Sequence, residues 1–288
     1  MTLATAGWAA AFILGKIALA GMTPLALGAW RYVVAVLALL PFVVRSSGAG
    51  AVTSAGLRAA ALPLLVMVVV GGVAYPWLFL EALARTSATN TSLLIALNPV
   101  VTLLLSPLVG ETLGARRVAG GLLAFAGAVI VISRGDLGEL LALRIDAGDL
   151  LALVAAACWA TFNLASRLVV ERIPPSTVNL AVFTSGAVAL YVLGLDEDPL
   201  GQLTAASPEI LATIVAMGLI SSVMSGQLFL WGVRAAGIGR AVVFIYLVPV
   251  MTAALSVALL GEALSAAQVA GGAAVVTGLL LTTRAADR

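Results

Sequence analysis

The chain has 288 residues, 62% of them apolar and 10% charged, with a net charge of +2, whereas soluble domains run at about 45–50% apolar and about 25% charged. So few charges cannot cover a soluble surface, so nearly all of the chain must face lipid or other helices. The absence of histidine excludes Ser-His and Cys-His catalysis and His-ligated metals, the single Cys158 excludes a disulfide framework or Cys-rich metal site, and the scattered basic residues form no stripe for nucleic acid.

A membrane-spanning helix needs about 20 mostly apolar residues. Ten such segments are predicted, at about 2–21, 24–44, 59–84, 87–109, 116–133, 149–170, 176–195, 208–234, 239–260 and 267–283. The runs are too long and too continuously apolar for the alternating strands of a β-barrel. The first carries Trp8, Phe12 and Lys16, and its Met1-Thr2-Leu3 start has no basic side chain, so it does not read as a secretory signal. Arg31 sits in the second segment, and Tyr75-Pro76-Trp77 and Glu81 in the third. Asn98-Pro99 interrupts the fourth, which exits through Gly110-Glu111. In the fifth, Gly120-Gly121 and Gly127 have the spacing that lets helix backbones approach. After a mixed-charge connection at 135–148, the sixth segment carries Trp159, Asn163 and Arg167, the eighth Gln227, and the ninth Tyr246 and Pro249.

The chain contains one unit twice. Pro99, Thr102 and Ser106 recur 150 residues later as Pro249, Thr252 and Ser256. Gly110-Glu111 recurs 151 residues later as Gly261-Glu262, and Trp8, Lys16 and Pro24 recur as Trp159, Arg167 and Pro175. With the N-terminus in the cytoplasm, ten arginines fall on the inside and only Arg85, Arg134 and Arg144 outside, as the positive-inside rule requires. Each unit then has five helices, an odd number, so the second enters the membrane upside down. The expected fold is all-α and integral to the membrane, with ten transmembrane helices, both termini inside, and two inverted five-helix repeats (1–134 and 149–288) joined by an outer linker at 135–148. Inverted repeats are a recurring architecture of secondary transporters.

Trp8 followed by Lys16, then Thr23-Pro24 and Arg31, resembles the start of the drug/metabolite transporter superfamily. The Asn98-Pro99 helix with its Gly110-Glu111 exit, repeated as Pro249 and Gly261-Glu262, resembles its EamA-type branch. The similarity covers nearly the whole chain. It implies a ten-helix carrier with a central cavity, often an exporter of amino acids or related metabolites, without naming the substrate.

Polar groups in the bilayer are functional candidates by default, although long side chains near helix ends also snorkel. Trp8, Phe12 and Lys16 share one helix face at i, i+4 and i+8; the matching face holds Trp159, Asn163 and Arg167. These faces either line two ends of one cavity or, for Lys16 and Arg167, serve snorkelling and a local Arg167–Glu171 pair. Arg31 is expected about 10 Å inside the membrane. It either forms a structural ion pair with Glu81 or, as Lys16 also can, anchors a substrate carboxylate. The proline breaks at Tyr75-Pro76-Trp77, Asn98-Pro99 and Tyr246–Pro249, with Gln227 opposite Trp77, either supply midplane binding groups or are packing kinks. Glu111 and Glu262 are expected to cap the helices that follow them, and Trp30 to sit in the interfacial aromatic belt.

These residues predict a secondary carrier that exports small polar metabolites, amino acids foremost, by alternating access, located in the cell inner membrane. No enzymatic activity, cofactor, metal or nucleic-acid partner is expected, and the chain is expected to work as a monomer or weak homo-oligomer. A multidrug exporter, a nucleotide-sugar or phosphorylated-metabolite exchanger and, remotely, a membrane scaffold or intramembrane enzyme are the alternatives.

Overall fold

A computed structural model describes residues 1–46, 54–86, 91, 94–136, 138, 147–260 and 265–283. All regular structure among them is helical. In chain order the apolar helices are α1 (Thr2–Ala18), α2 (Pro24–Arg45), α3 (Ser54–Arg85), α4 (Leu97–Val109), α5 (Ala115–Ile132), α6 (Ala147–Val170), α7 (Pro175–Leu193), α8 (Pro208–Ala236), α9 (Ile238–Leu255) and α10 (Ala266–Thr283). Eight are long and apolar enough to cross a membrane; α1 and α4 are shorter. Helices are what such runs must form, because in lipid every backbone N–H and C=O has to be satisfied within the segment. The Gly261-Glu262 exit and most of the 135–148 connection lie outside the described residues.

The two sequence copies break their helices at corresponding places. Within α3 the backbone is π-helical over Met67–Ala74, and within α8 over Met217–Met224, starting 150 residues later. Pro76 follows the first π segment, but Gly226 stands at the matching place in α8. A proline is therefore not needed to make this break, which corrects the expected role of the Tyr75-Pro76-Trp77 kink. In α4 the cause is more local. Pro99 has no N–H to offer the carbonyl of Ile95, four residues back, and the Asn98 side-chain amide donates to that carbonyl at 2.8 Å instead. The corresponding stretch before Pro249 is a 3-10 segment, Val242–Tyr246, leading into the α-helix at Leu247.

The helix pairs explain where space is left. α5 and α10 pack along glycines: a Cβ on Gly127 would lie 2.6 Å from the Gly271 carbonyl oxygen, and one on Gly120 2.7 Å from that of Gly278, so only hydrogen permits the contact. α2 packs along α7, α1 against α8 and α9, and α6 against α3 and α4. The leading helix of each copy therefore packs on the third and fourth helices of the other, and a cavity opens between them.

Between α7 and α8 lies an unforeseen seven-residue helix, Pro199–Ala205, capped by Asp198, whose carboxylate accepts from Gly201 N–H. Trp30 Nε1 donates to the Pro199 carbonyl at 2.8 Å. Gln202 Oε1 accepts from Thr23 N–H at 2.8 Å. Trp30 is thus fixed by a partner on a neighbouring segment at the arginine-poor end.

Candidate functional site

The cavity between the two copies has a volume of about 280 Å³. Ten aromatic side chains face it, of the eight Phe, five Trp and four Tyr in the whole chain. The sequence mates Trp8 and Trp159 meet edge to face with ring centroids 5.8 Å apart. Trp159 stacks on Phe162 at 4.8 Å and lies 4.5 Å from Tyr75. Phe12 and Tyr75 both rest on Phe79. These contacts brace the aromatic walls against one another.

The polar lining is sparse. Arg31 lies two turns inside α2 and is 7% exposed, with its guanidinium carbon 4.9 Å from the centroid of the Tyr32 ring. Its Nε has no hydrogen-bond partner, and no carboxylate among the described residues pairs with it. Across the cavity on α7, Asn179 is 2% exposed and its Nδ2 is also without an acceptor. Asn98 lines the wall with both functions used: Nδ2 on Ile95 and Oδ1 accepting from Asn163 Nδ2 at 3.2 Å. The lining contains no Asp or Glu among the described residues. It runs out to Arg134, exposed, and Gln268, at the ends of α5 and α10, so the mouth lies at the arginine-poor end.

The arginine-rich end is shut. Asn163 donates to Asn98 and, also at 3.2 Å, to Thr102 Oγ1, forming a buried polar floor. Below it the Glu111 carboxylate crosses between the copies. Oε1 accepts from Ile238 N–H at 2.8 Å and Oε2 from Gly239 N–H at 3.4 Å, at the start of α9. The same carboxylate lies 3.2 Å from Arg167 Nε and 3.6 Å from Arg117 Nη1. Gly237 is in the left-handed region, φ 81°, and a Cβ there would collide with Glu111, so the approach requires glycine.

The EamA-like transporter family profile matches residues 1–133 and again 146–284. The chain belongs to the EamA-like transporter family. It is 28% identical over 275 residues to the "Uncharacterized transporter YyaM" of Bacillus subtilis (strain 168), covering 94% of this chain and 88% of that protein. It is 25% identical over 286 residues to the "Probable terminal-alkyne amino-acid exporter" of Streptantibioticus cattleyicolor, covering 99% and 92%. A crystal structure with 21% identity shares the fold at a TM-score of 0.78, over 99% of this chain and 96% of that one. The protein is a multi-pass membrane transporter of EamA type.

Among the residues singled out from the sequence of this EamA-like transporter, Trp8, Phe12, Arg31, Tyr75, Asn98, Trp159 and Tyr246 line one cavity. Four others do not. Lys16 is exposed, as snorkelling at a helix end requires. Trp77 is 38% exposed and points out of the bundle. Gln227 is half-buried off the lining, and Asn163 is fully buried in the floor.

Two expected interactions are corrected. Glu81 does not pair with Arg31; its Oε2 is 2.7 Å from Arg85, one turn along the same helix, and that near-surface pair forms without bringing two charges into the interior. The Glu111 carboxylate is not spent on its own following helix; it caps α9 of the other copy, at Ile238 and Gly239. Arg167 does make the expected pair with Glu171, at 2.5 Å, while also reaching Glu111. Asn179, Ser221 and Ser222 line the cavity and were not singled out. Their signal was available, since each is a small polar side chain inside a long apolar run.

Proposed function

We propose that this chain is a secondary carrier that exports small polar metabolites, amino acids foremost, by alternating access. In this reading the ten apolar helices form two five-helix repeats inserted in opposite senses, with both termini in the cytoplasm of a cell whose inner membrane holds the protein as a monomer or weak homo-oligomer. The paired π segments, the Trp8–Trp159 contact and the twofold family match support that reading.

The observation that carries the function is Arg31: a buried guanidinium facing a cavity, with no acceptor for its Nε and no carboxylate paired with it among the described residues. An unpaired charge at such a depth is costly, and a substrate carboxylate relieves that cost. Trp8, Phe12, Tyr75, Asn98, Trp159 and Tyr246 form the remaining binding wall. The name of the Streptantibioticus relative supports amino acids as the class.

The conformation is outward-open. The mouth at Arg134 and Gln268 faces the exterior, while Glu111 ties α9 to α5 and α6 and closes the cytoplasmic end. Export then requires Glu111 to let go and the halves to rock around the Trp8–Trp159 contact. A multidrug role fits poorly, because a cationic drug meets no carboxylate in the lining.

The test is efflux from proteoliposomes loaded with single radiolabelled amino acids, with and without a pH gradient. Saturable efflux through the wild-type protein, lost in Arg31→Gln, is expected. Equal leakage from protein-loaded and empty vesicles across the amino-acid panel contradicts the reading.

A further inference from the structure

Resting on the carrier reading of this cavity, we infer that the site recognises a carboxylate attached to a flat apolar body and does not read an α-amino group. Its ligand class is arylalkyl carboxylates, with or without the amine.

The polar inventory of the lining carries this. In the lining, the buried side-chain atoms left without partners are two pure donors, Arg31 Nε and Asn179 Nδ2, and the Tyr246 hydroxyl, which can donate or accept. Buried donors call for acceptors, and a carboxylate offers two oxygens and the charge that matches a guanidinium. The acceptors that the lining leaves to an ammonium are neutral ones. Asn98 Oδ1 is held by Asn163, and the Ser221 hydroxyl, which donates to the Met217 carbonyl at 2.7 Å, offers an ammonium only neutral lone pairs. Among the described residues no carboxylate lines the cavity. An ammonium brought to the aromatic walls regains only part of its hydration from the ring faces, so the α-amine is tolerated toward the open mouth and contributes little.

Shape narrows the body of the ligand. A cavity of about 280 Å³ falls at the lower edge of the roughly 300–1,000 Å³ that drug-sized ligands occupy, which suits one ring on a short chain and excludes a nucleotide sugar. Trp8, Tyr75, Trp159 and Phe162 supply flat faces braced by their mutual contacts, and a planar body gains offset-stacked or edge-to-face contacts with such rings.

Three compounds sharing one ring and differing in one group test this on the purified full chain: 3-phenylpropionate, phenylalanine and 2-phenylethylamine. Binding is read by calorimetry and by quenching of the cavity tryptophans. We expect 3-phenylpropionate to bind at least as tightly as phenylalanine, and 2-phenylethylamine not to bind. Arg31→Gln is expected to weaken both acids about 10–100-fold, and Asn179→Leu about 3–10-fold, with the melting transition showing that each variant is folded. Phenylalanine binding tenfold more tightly than 3-phenylpropionate, or 2-phenylethylamine matching either acid, overturns the inference. Binding and efflux of an aliphatic amino acid with no binding by the aromatic acids also overturns it, while leaving the carrier reading in place.

Discussion

Glu111, in the connection between α4 and α5, accepts a 2.8 Å hydrogen bond from the backbone N–H of Ile238 at the start of α9, 127 residues further along the chain. A carboxylate at a helix N-terminus is favoured by the free N–H groups and the helix dipole, and Arg167 and Arg117 hold the same carboxylate from α6 and α5. One side chain therefore fastens two sequence copies at one end of the bundle.

Replacing Glu111 by alanine is expected to open that end. A cysteine placed at Thr102, which is 0% exposed in the cavity floor, should resist a water-soluble maleimide in a Cys158→Ser background. In the Glu111→Ala background it should label from the cytoplasmic side at least tenfold faster. Unchanged protection would show that Glu111 does not close the path.

Arg31 predicts a split between stability and function. Removing a buried, unpaired guanidinium relieves a desolvation cost, so Arg31→Met should raise the melting temperature of the ligand-free protein by a few degrees, corresponding to about 1–3 kcal/mol, while transport of carboxylate substrates is lost. Glu81→Gln should do neither, since its i,i+4 pair with Arg85 is worth only about 0.3–0.5 kcal/mol. A melting temperature that falls in Arg31→Met would reveal a structural partner for the guanidinium.

Asn163 joins α6 to Asn98 and Thr102 on α4. Asn163→Leu leaves Asn98 Oδ1 buried without its donor, and a cost of about 1–3 kcal/mol is expected, read as a lower melting temperature in detergent. Asn98→Ala in the same background should recover part of that loss, because the stranded acceptor is then gone.

Gly127 sets the distance between α5 and α10. Gly127→Val drives side-chain atoms into the Gly271 carbonyl and the Val275 N–H, and overpacking of this kind costs about 1–3 kcal/mol or more. The melting temperature should drop, whereas Gly114→Ala, where an added Cβ meets nothing within 4 Å, should leave it unchanged.

What could be read from the sequence followed from composition and period. Long apolar runs fixed the helical class, and the i, i+4 spacing put Trp8 and Phe12 on the wall that the structure gives them. The Gly120–Gly127 spacing located a helix contact because a missing Cβ is visible in the sequence itself. Tertiary reach was not visible. Glu111 was expected to serve its own helix because local rules see only neighbours, and the bond to Ile238 exists only once α9 is packed beside it. Glu81 similarly found Arg85 one turn away, a local partner that spared it the interior. The π segments were hidden for another reason: α8 makes one with no proline to announce it.

The most direct measurement is efflux of a carboxylate-bearing amino acid from proteoliposomes containing the wild-type protein, compared with a folded Arg31→Gln variant. The cavity and its unpaired guanidinium predict saturable efflux through the wild type and background leakage through the variant. Equal saturable efflux through both proteins would contradict a carboxylate site at Arg31.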